Sequence, residues 1–236
     1  MTELIAHRGR GAQGPENAVE ALAGLAPWVA GVEIDARVSA DGEVVLMHDA
    51  AVDRTTDGAG AVADLTAEAL TALRVVGGGR VPTLAGYLDA VAATGLATVL
   101  VDVKHDDPAT LAAVVAVVAA SPVSRRCVVL VRSSRGLAEL RRRAPALRLG
   151  GLGLTRENVT ERVAGARAAD AELLLVAHGD AAYLAHRDVL GQVRRAGLRV
   201  GASTINSDEA VGTALDDGCD VVLTDATHRW GPSLER

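Results

Sequence analysis

Residues 98–131 read TVLVDVKHDDPATLAAVVAVVAASPVSRRCVVLV, a strand-like run, an Ala/Val helix pattern over 108–120, and a second strand-like run at 127–131. A strand, an amphipathic segment and another strand at this spacing predict two parallel strands joined by a crossover helix. The unit repeats outward in both directions. Strand candidates recur at residues 3–7, 31–36, 98–103, 127–131, 147–152, 172–177, 199–203 and 220–224, with helical patterns such as 83–94, 181–196 and 207–216 between them. Eight such strands in 236 residues predict a TIM (β/α)8 barrel forming a single domain over 1–236, rather than an open sheet. No glycine fingerprint of a dinucleotide fold follows a strand.

The composition agrees with this architecture. Apolar residues make up 49% of the chain, aromatics only 2%, and Phe is absent. Val, Leu, Ile and Ala must therefore fill the interior, and such stiff side chains suit strands covered on both faces. The formal net charge of −6 provides no general attraction to nucleic acid or to an anionic membrane. The basic run Arg141-Arg142-Arg143 reads as the solvated face of a helix beside Glu139. Cys127 and Cys219 are too few for a disulfide scaffold and read as small buried hydrophobes at strand starts. With no basic leader region and no apolar stretch that would span a bilayer, a cytoplasmic protein is expected. Nothing in the sequence specifies an oligomeric state.

One segment breaks the alternation. Ser39-Ala40-Asp41-Gly42 is a turn signal, and the apolar run Val44-Val45-Leu46-Met47 follows it, which predicts a hairpin on the second strand. Residues 49–62 are polar and Gly-rich, with little core-forming material. The whole of 39–80 is expected to be an extended connection over one barrel mouth, and long ordered connections tend to serve function.

In a barrel of this type the carboxyl ends of the strands form the active face. Those ends are rich in chemistry: His7-Arg8-Gly9, Glu33 with Asp35, His48-Asp49, and Asp102-Val103-Lys104-His105. Side chains two apart on a strand share a face, so Glu33 and Asp35 point together while Ile34 points the other way. If Ile34 packs against the helices, both acids enter the barrel, where Asp102 and Lys104 repeat the pattern. Three carboxylates make a hard oxygen site suited to Mg²⁺ or Ca²⁺. The competing reading is a buried salt-bridge network with Lys104; three acids against one lysine and one arginine leave a negative excess that favours a cation. His7 and His48 are the candidate acid–base pair, since imidazole takes or gives a proton near neutral pH. Arg8 and Lys104 would hold an anionic substrate. Asn17, with Glu20 three positions on, reads as a helix N-cap, and Glu16-Asn17 would lie near the same mouth. His178 ends the sixth strand, as a headgroup contact or a polar strand cap. His105 is similarly placed, while His186 and His228 read as surface residues.

Taken in order, His7-Arg8-Gly9, Pro15-Glu16-Asn17, Glu33-Ile34-Asp35 and Leu46-Met47-His48-Asp49 resemble the glycerophosphodiester phosphodiesterase family. Asp53-Arg54-Thr55-Thr56-Asp57-Gly58, Val81-Pro82-Thr83-Leu84, Ser203-Thr204-Ile205-Asn206 and Leu223-Thr224-Asp225 continue the match along nearly the whole chain. The resemblance implies a TIM barrel, one divalent cation, and hydrolysis of a small glycerophosphodiester to sn-glycerol 3-phosphate and an alcohol. It further implies Glu33 and Asp35 as metal ligands, His7 and His48 as acid and base, and Arg8 and Lys104 on the phosphate. The third ligand, usually Glu in this family, is here Asp102, one methylene shorter. The family's aromatic wall positions correspond to Ser133-Ser134 and to Ser203, which predicts a more hydrophilic mouth with weak preference for choline-like groups. Two routes stay open, direct attack by water or attack by the glycerol hydroxyl through a cyclic phosphate. Alternatives are a lipid phosphodiesterase on the same barrel, of phospholipase D-like or phosphoinositide-lyase type, and a non-catalytic metal- or phosphate-binding barrel. The lack of an apolar anchor segment speaks against stable membrane association, and the retained His7, His48 and Lys104 against a scaffold.

Overall fold

Short runs of Val and Leu build the strands, and the computed structural model, which describes residues 2–10 and 14–230, arranges eight of them in a closed parallel ring. In chain order they are β1 (Glu3–Ala6), β2 (Gly31–Val38), an outlying β3 (Val44–Leu46), β4 (Thr98–Val103), β5 (Cys127–Val131), β6 (Arg148–Leu154), β7 (Leu173–Val176), β8 (Arg199–Ala202) and β9 (Val221–Thr224). The ring runs β1-β9-β8-β7-β6-β5-β4-β2 and closes where Ile5 and Ala6 of β1 pair with Gly31 and Val32 of β2. It is the expected TIM barrel.

Strand alternation divides the apolar residues into two layers. Ile5, Leu100, Leu130, Leu173, Leu175 and Leu223 fill the inside of the ring. The alternate residues, among them Leu4, Val32, Ile34, Val101 and Val129, join the helices outside. Those helices are α1 (Ala67–Ala72), α2 (Leu84–Ala92), α3 (Pro108–Ala120), α4 (Ser134–Arg143), α5 (Val159–Ala168), α6 (Asp180–His186), α7 (Leu190–Arg195) and α8 (Asp208–Asp216). Their starts are written in the sequence: Thr83, Asp107, Ser133 and Ser207 each accept a hydrogen bond from a backbone N–H of the first turn, and Pro108 opens α3. No helix of the described residues is long and apolar enough to cross a membrane.

The hairpin is present, with Ala36, Arg37 and Val38 of β2 paired antiparallel to Leu46, Val45 and Val44 of β3. The connection that follows differs from the sequence expectation in one respect. It carries its own apolar cluster of Val45, Met47, Val52, Val62, Leu70, Val75 and Val81, so 49–62 does contribute core residues. Two isolated valines in a polar stretch show no periodicity and gain partners only when the loop folds back. Of the three consecutive arginines, Arg142 and Arg143 pair with Glu139 on the helix surface, as expected, while Arg141 also donates to the Ala169 and Asp170 carbonyls.

Candidate active site

The register of β2 against β4 sets Asp35 directly opposite Asp102. Because Ile34 and Val101 face the helices, Glu33, Asp35 and Asp102 turn into the ring at its carboxyl end, all three buried. One oxygen from each lies within 4.8 Å of the other two. Burial, then the negative charges of Asp35 and Asp102, push the Glu33 carboxyl well above the ordinary carboxylate range. For Asp35 burial works in the same direction, but Lys104 and Asn17 overcome it and hold the carboxyl low. The Lys104 ammonium stands 2.5 Å from Asp35 Oδ1 and 2.5 Å from Asp102 Oδ2. Three crowded carboxylates, one of them resisting ionisation, form an all-oxygen donor set that a hard divalent cation fits.

Asn17 does not cap a helix. The short 3₁₀ turn Val19–Gly24 starts from Ala18, without a side-chain cap. Asn17 instead adopts a left-handed backbone, is buried, and clamps Asp35: its Nδ2 donates to Asp35 Oδ2 at 2.8 Å and its Oδ1 accepts from the Asp35 backbone N–H at 3.0 Å. Asn is among the few residue types that tolerate this backbone and carry both a donor and an acceptor. Glu16 likewise stands behind the cleft. It accepts from Arg8 at 2.9 Å and from Arg54 at 2.7 Å, and Arg54 in turn reaches Asp49, whose Oδ1 lies 2.7 Å from His48 Nδ1. This chain of charges ties the 39–80 connection to the first strand end.

His7 and Arg8 occupy a 3₁₀ turn at the end of β1, with Arg8 at φ 53° and its backbone N–H donating to Glu33 Oε2. Arg8 Nε is 3.6 Å from Asp35. His7 Nδ1 lies 3.0 Å from Asp225 Oδ1, and His7 Nε2 is 4.0 Å from Glu33. Burial would raise the Asp225 carboxyl, but His7, Asn206 and Arg10 outweigh it and hold it at about 2. Burial depresses the His48 imidazole more than Asp49 and Asp35 raise it. These groups surround one cleft of about 280 Å³, which His7, Arg8, the three acids, His48, Lys104, His178 and Ser203 all line. His178 packs its ring 5.9 Å from that of His7 and accepts from the Thr204 N–H. His105 lies outside, against Arg37.

The model of the glycerophosphoryl diester phosphodiesterase family matches residues 7–229. The chain belongs to this family. Among curated members, bovine glycerophosphodiester phosphodiesterase 1 is 51% identical over 70 residues, a stretch that covers 29% of this chain and only about a fifth (21%) of the bovine protein. A glycerophosphodiester phosphodiesterase of Caldanaerobacter subterraneus is 40% identical over 91 residues, 35% of this chain and 37% of that one. Of solved structures, the glycerophosphodiester phosphodiesterase of Agrobacterium tumefaciens superposes with a TM-score of 0.78 at 26% identity, covering 98% of this chain and all (100%) of that one. A phosphodiesterase of Oleispira antarctica, solved in complex with the product sn-glycerol-3-phosphate, shares the fold with a TM-score of 0.84 at 22% identity, covering 100% of this chain and 98% of the other.

Within the family frame, the cleft wall at the end of β5 departs from the sequence expectation. Ser133 and Ser134 do not line it. Ser133 Oγ caps α4 and donates to Asp106, while Ser134 sits against Gly165 of α5. The residue that faces the cleft is Arg132, half exposed, which donates to both oxygens of Asp102 at 2.7 Å. A lone arginine after a strand carries no signal that separates it from a solvated one. Asp225 ends the Leu223-Thr224-Asp225 motif, but only ring closure brings it to His7.

Proposed function

We propose that the chain hydrolyses glycerophosphodiesters to sn-glycerol 3-phosphate and an alcohol. The observation that carries the reading is the convergence, in one cleft of a family member, of three buried carboxylates, two carboxylate-tethered imidazoles and the cations Arg8 and Lys104. The product complex of the Oleispira antarctica enzyme supports the same substrate class. Glu33, Asp35 and Asp102 would hold one divalent cation, Mg²⁺ or Ca²⁺. Such a cation supplies Lewis-acid polarisation of a phosphate oxygen.

The chain's own residues do the rest. Arg8 and Lys104 bind the phosphate oxygens and offset the charge that grows on them in the transition state. Asp225 and Asp49 engage Nδ1 of His7 and His48, which leaves Nε2 of each imidazole for proton exchange. One imidazole takes the proton of the attacking hydroxyl or water, and the other protonates the departing alkoxide. Asn17 and Glu16 position Asp35 and Arg8, while His178 and Ser203 contact the substrate on the far wall.

The deciding measurement is enzymatic release of glycerol 3-phosphate from glycerophosphoglycerol, with and without EDTA. Release that stops with EDTA and returns on adding Mg²⁺ or Ca²⁺ is expected. No release under either condition, from folded protein, would sink the reading.

A further inference from the structure

Asp102 is the one acid of the cluster that a guanidinium fork grips through both oxygens. Oδ1 accepts from Arg132 Nη1 and Oδ2 from Arg132 Nη2, each at 2.7 Å, while Lys104 Nζ also reaches Oδ2 at 2.5 Å. Glu33, by contrast, is held through Oε2 by the Arg8 backbone N–H, and its charge is crowded rather than compensated. The two cations on Asp102 are not equivalent. The Lys104 side chain is 8% exposed and wedged between Asp35 and Asp102, whereas the Arg132 side chain is 49% exposed and reaches the cleft and the solvent.

We infer that Arg132 is a displaceable latch on Asp102: it grips both oxygens of this carboxylate, and a divalent cation entering the three-acid site displaces it toward the cleft. The inference rests on the reading of Glu33, Asp35 and Asp102 as a cation site. Its physical basis is competition. A forked guanidinium uses both carboxylate oxygens in the plane in which a ligated cation would also bind, so the two cannot share Asp102 fully. Of the two cations, the one with access to water leaves at the smaller desolvation cost. The same step has a consequence for substrate. Once off Asp102, the guanidinium adds a third cationic group to the cleft beside Arg8 and Lys104. Cation binding thereby prepares the wall for an anion. Across the cleft, Thr204 Oγ1 is buried with no hydrogen-bond partner, a further polar group left for a ligand.

The test is calorimetric titration of the full chain with Ca²⁺ alone and with Mg²⁺ alone, comparing wild type, Arg132→Gln and Arg132→Lys. Arg132→Gln is expected to bind roughly tenfold more tightly, because the forked competitor is gone. Arg132→Lys, which keeps the charge without the fork, should fall between. In the wild type, mass-spectrometric mapping of phenylglyoxal modification should show Arg132 becoming more reactive when the cation is added. Unchanged or weaker binding in a folded Arg132→Gln variant overturns the latch, since the arginine would then be orienting Asp102 as a ligand. An Arg132 whose reactivity does not rise with cation overturns it as well. A wild type that binds neither cation removes both the latch and the metal site beneath it, while wild-type binding with no response to Arg132→Gln removes the latch alone.

Discussion

His7 and Asp225 are 218 positions apart in the chain, yet His7 Nδ1 lies 3.0 Å from Asp225 Oδ1, because β1 and β9 are neighbours in the closed ring. Asn206 holds the other Asp225 oxygen at 3.0 Å and accepts from the Asp225 backbone N–H. The carboxylate is therefore fixed and ionised over the whole physiological range. It selects the His7 tautomer with the proton on Nδ1, which frees Nε2 for chemistry. Asp225→Asn keeps the shape and removes the charge. It is expected to lower kcat on the order of 10²-fold with KM nearly unchanged, as steady-state kinetics would report. A raised KM with kcat retained would move Asp225 into substrate binding.

His48 comes from outside the ring, at the end of β3, and Arg37 fixes its position by donating from Nε and Nη2 to its backbone carbonyl. The side chain is 36% exposed, so little packing depends on it. His48→Ala should lower kcat by roughly 10³-fold or more and leave the melting temperature and circular dichroism close to wild type. Near-normal turnover would remove His48 from the proposed acid–base pair.

No Phe, Tyr or Trp lines the cleft among the described residues, while Arg8, Lys104 and Arg132 do. A quaternary ammonium finds no aromatic face there to stabilise it. The kcat/KM for glycerophosphocholine is expected not to exceed that for glycerophosphoglycerol. A strong choline preference would contradict this view of the wall.

Beneath the His7–Gly9 turn, the Tyr87 hydroxyl is fully buried without a hydrogen-bond partner. It fills the space where a Cβ on Gly9, at φ 62°, would stand. Leaving a buried hydroxyl unsatisfied costs about 1–3 kcal/mol. Tyr87→Phe should therefore raise stability or leave it unchanged in denaturant unfolding, whereas Gly9→Ala should lower it by more than about 1 kcal/mol. Part of that loss should return in the double variant. A destabilised Tyr87→Phe would mean that the hydroxyl has a partner after all, a buried water being the simplest.

The barrel was legible because its determinants are local. Eight runs of branched apolar residues, and the parity that places Ile34 opposite Glu33 and Asp35, can be read within a few positions of each other. The site was legible where a strand supplied the geometry and obscure where a loop did. Asn17 and Glu20 have the spacing of a capping box, and the same amide that suits a cap suits a clamp on Asp35; only the left-handed backbone at Asn17 decides between them. Arg132 and the Ser133 cap differ by one position, which in a turn after a strand is the difference between facing the cleft and facing the helix. Such relations depend on contacts between distant segments, and no spacing rule encodes them.

Far from the cleft, Asp217 knots the α6–α7 connection to the end of α8. Tyr183 Oη donates to its Oδ2 at 2.8 Å, Arg187 donates from Nε and Nη2, and Arg194 reaches the backbone carbonyl at 2.7 Å. The Arg187 hydrogen bonds lower the Asp217 carboxyl below its ordinary 3.8; burial opposes this, and Tyr183 adds to the lowering. A carboxyl with a depressed folded-state pKa stabilises the fold at pH above its unfolded value. That contribution fades as the pH falls through the folded value. Asp217→Asn should therefore cost roughly 2 kcal/mol at pH 7, and the gap to wild type should narrow as the pH falls below the ordinary 3.8 and through the lowered folded value. Thermal unfolding of both proteins across that range measures the difference. A gap that persists undiminished in acid would show that Asp217 acts through shape and hydrogen bonding alone, with its charge contributing nothing to the knot.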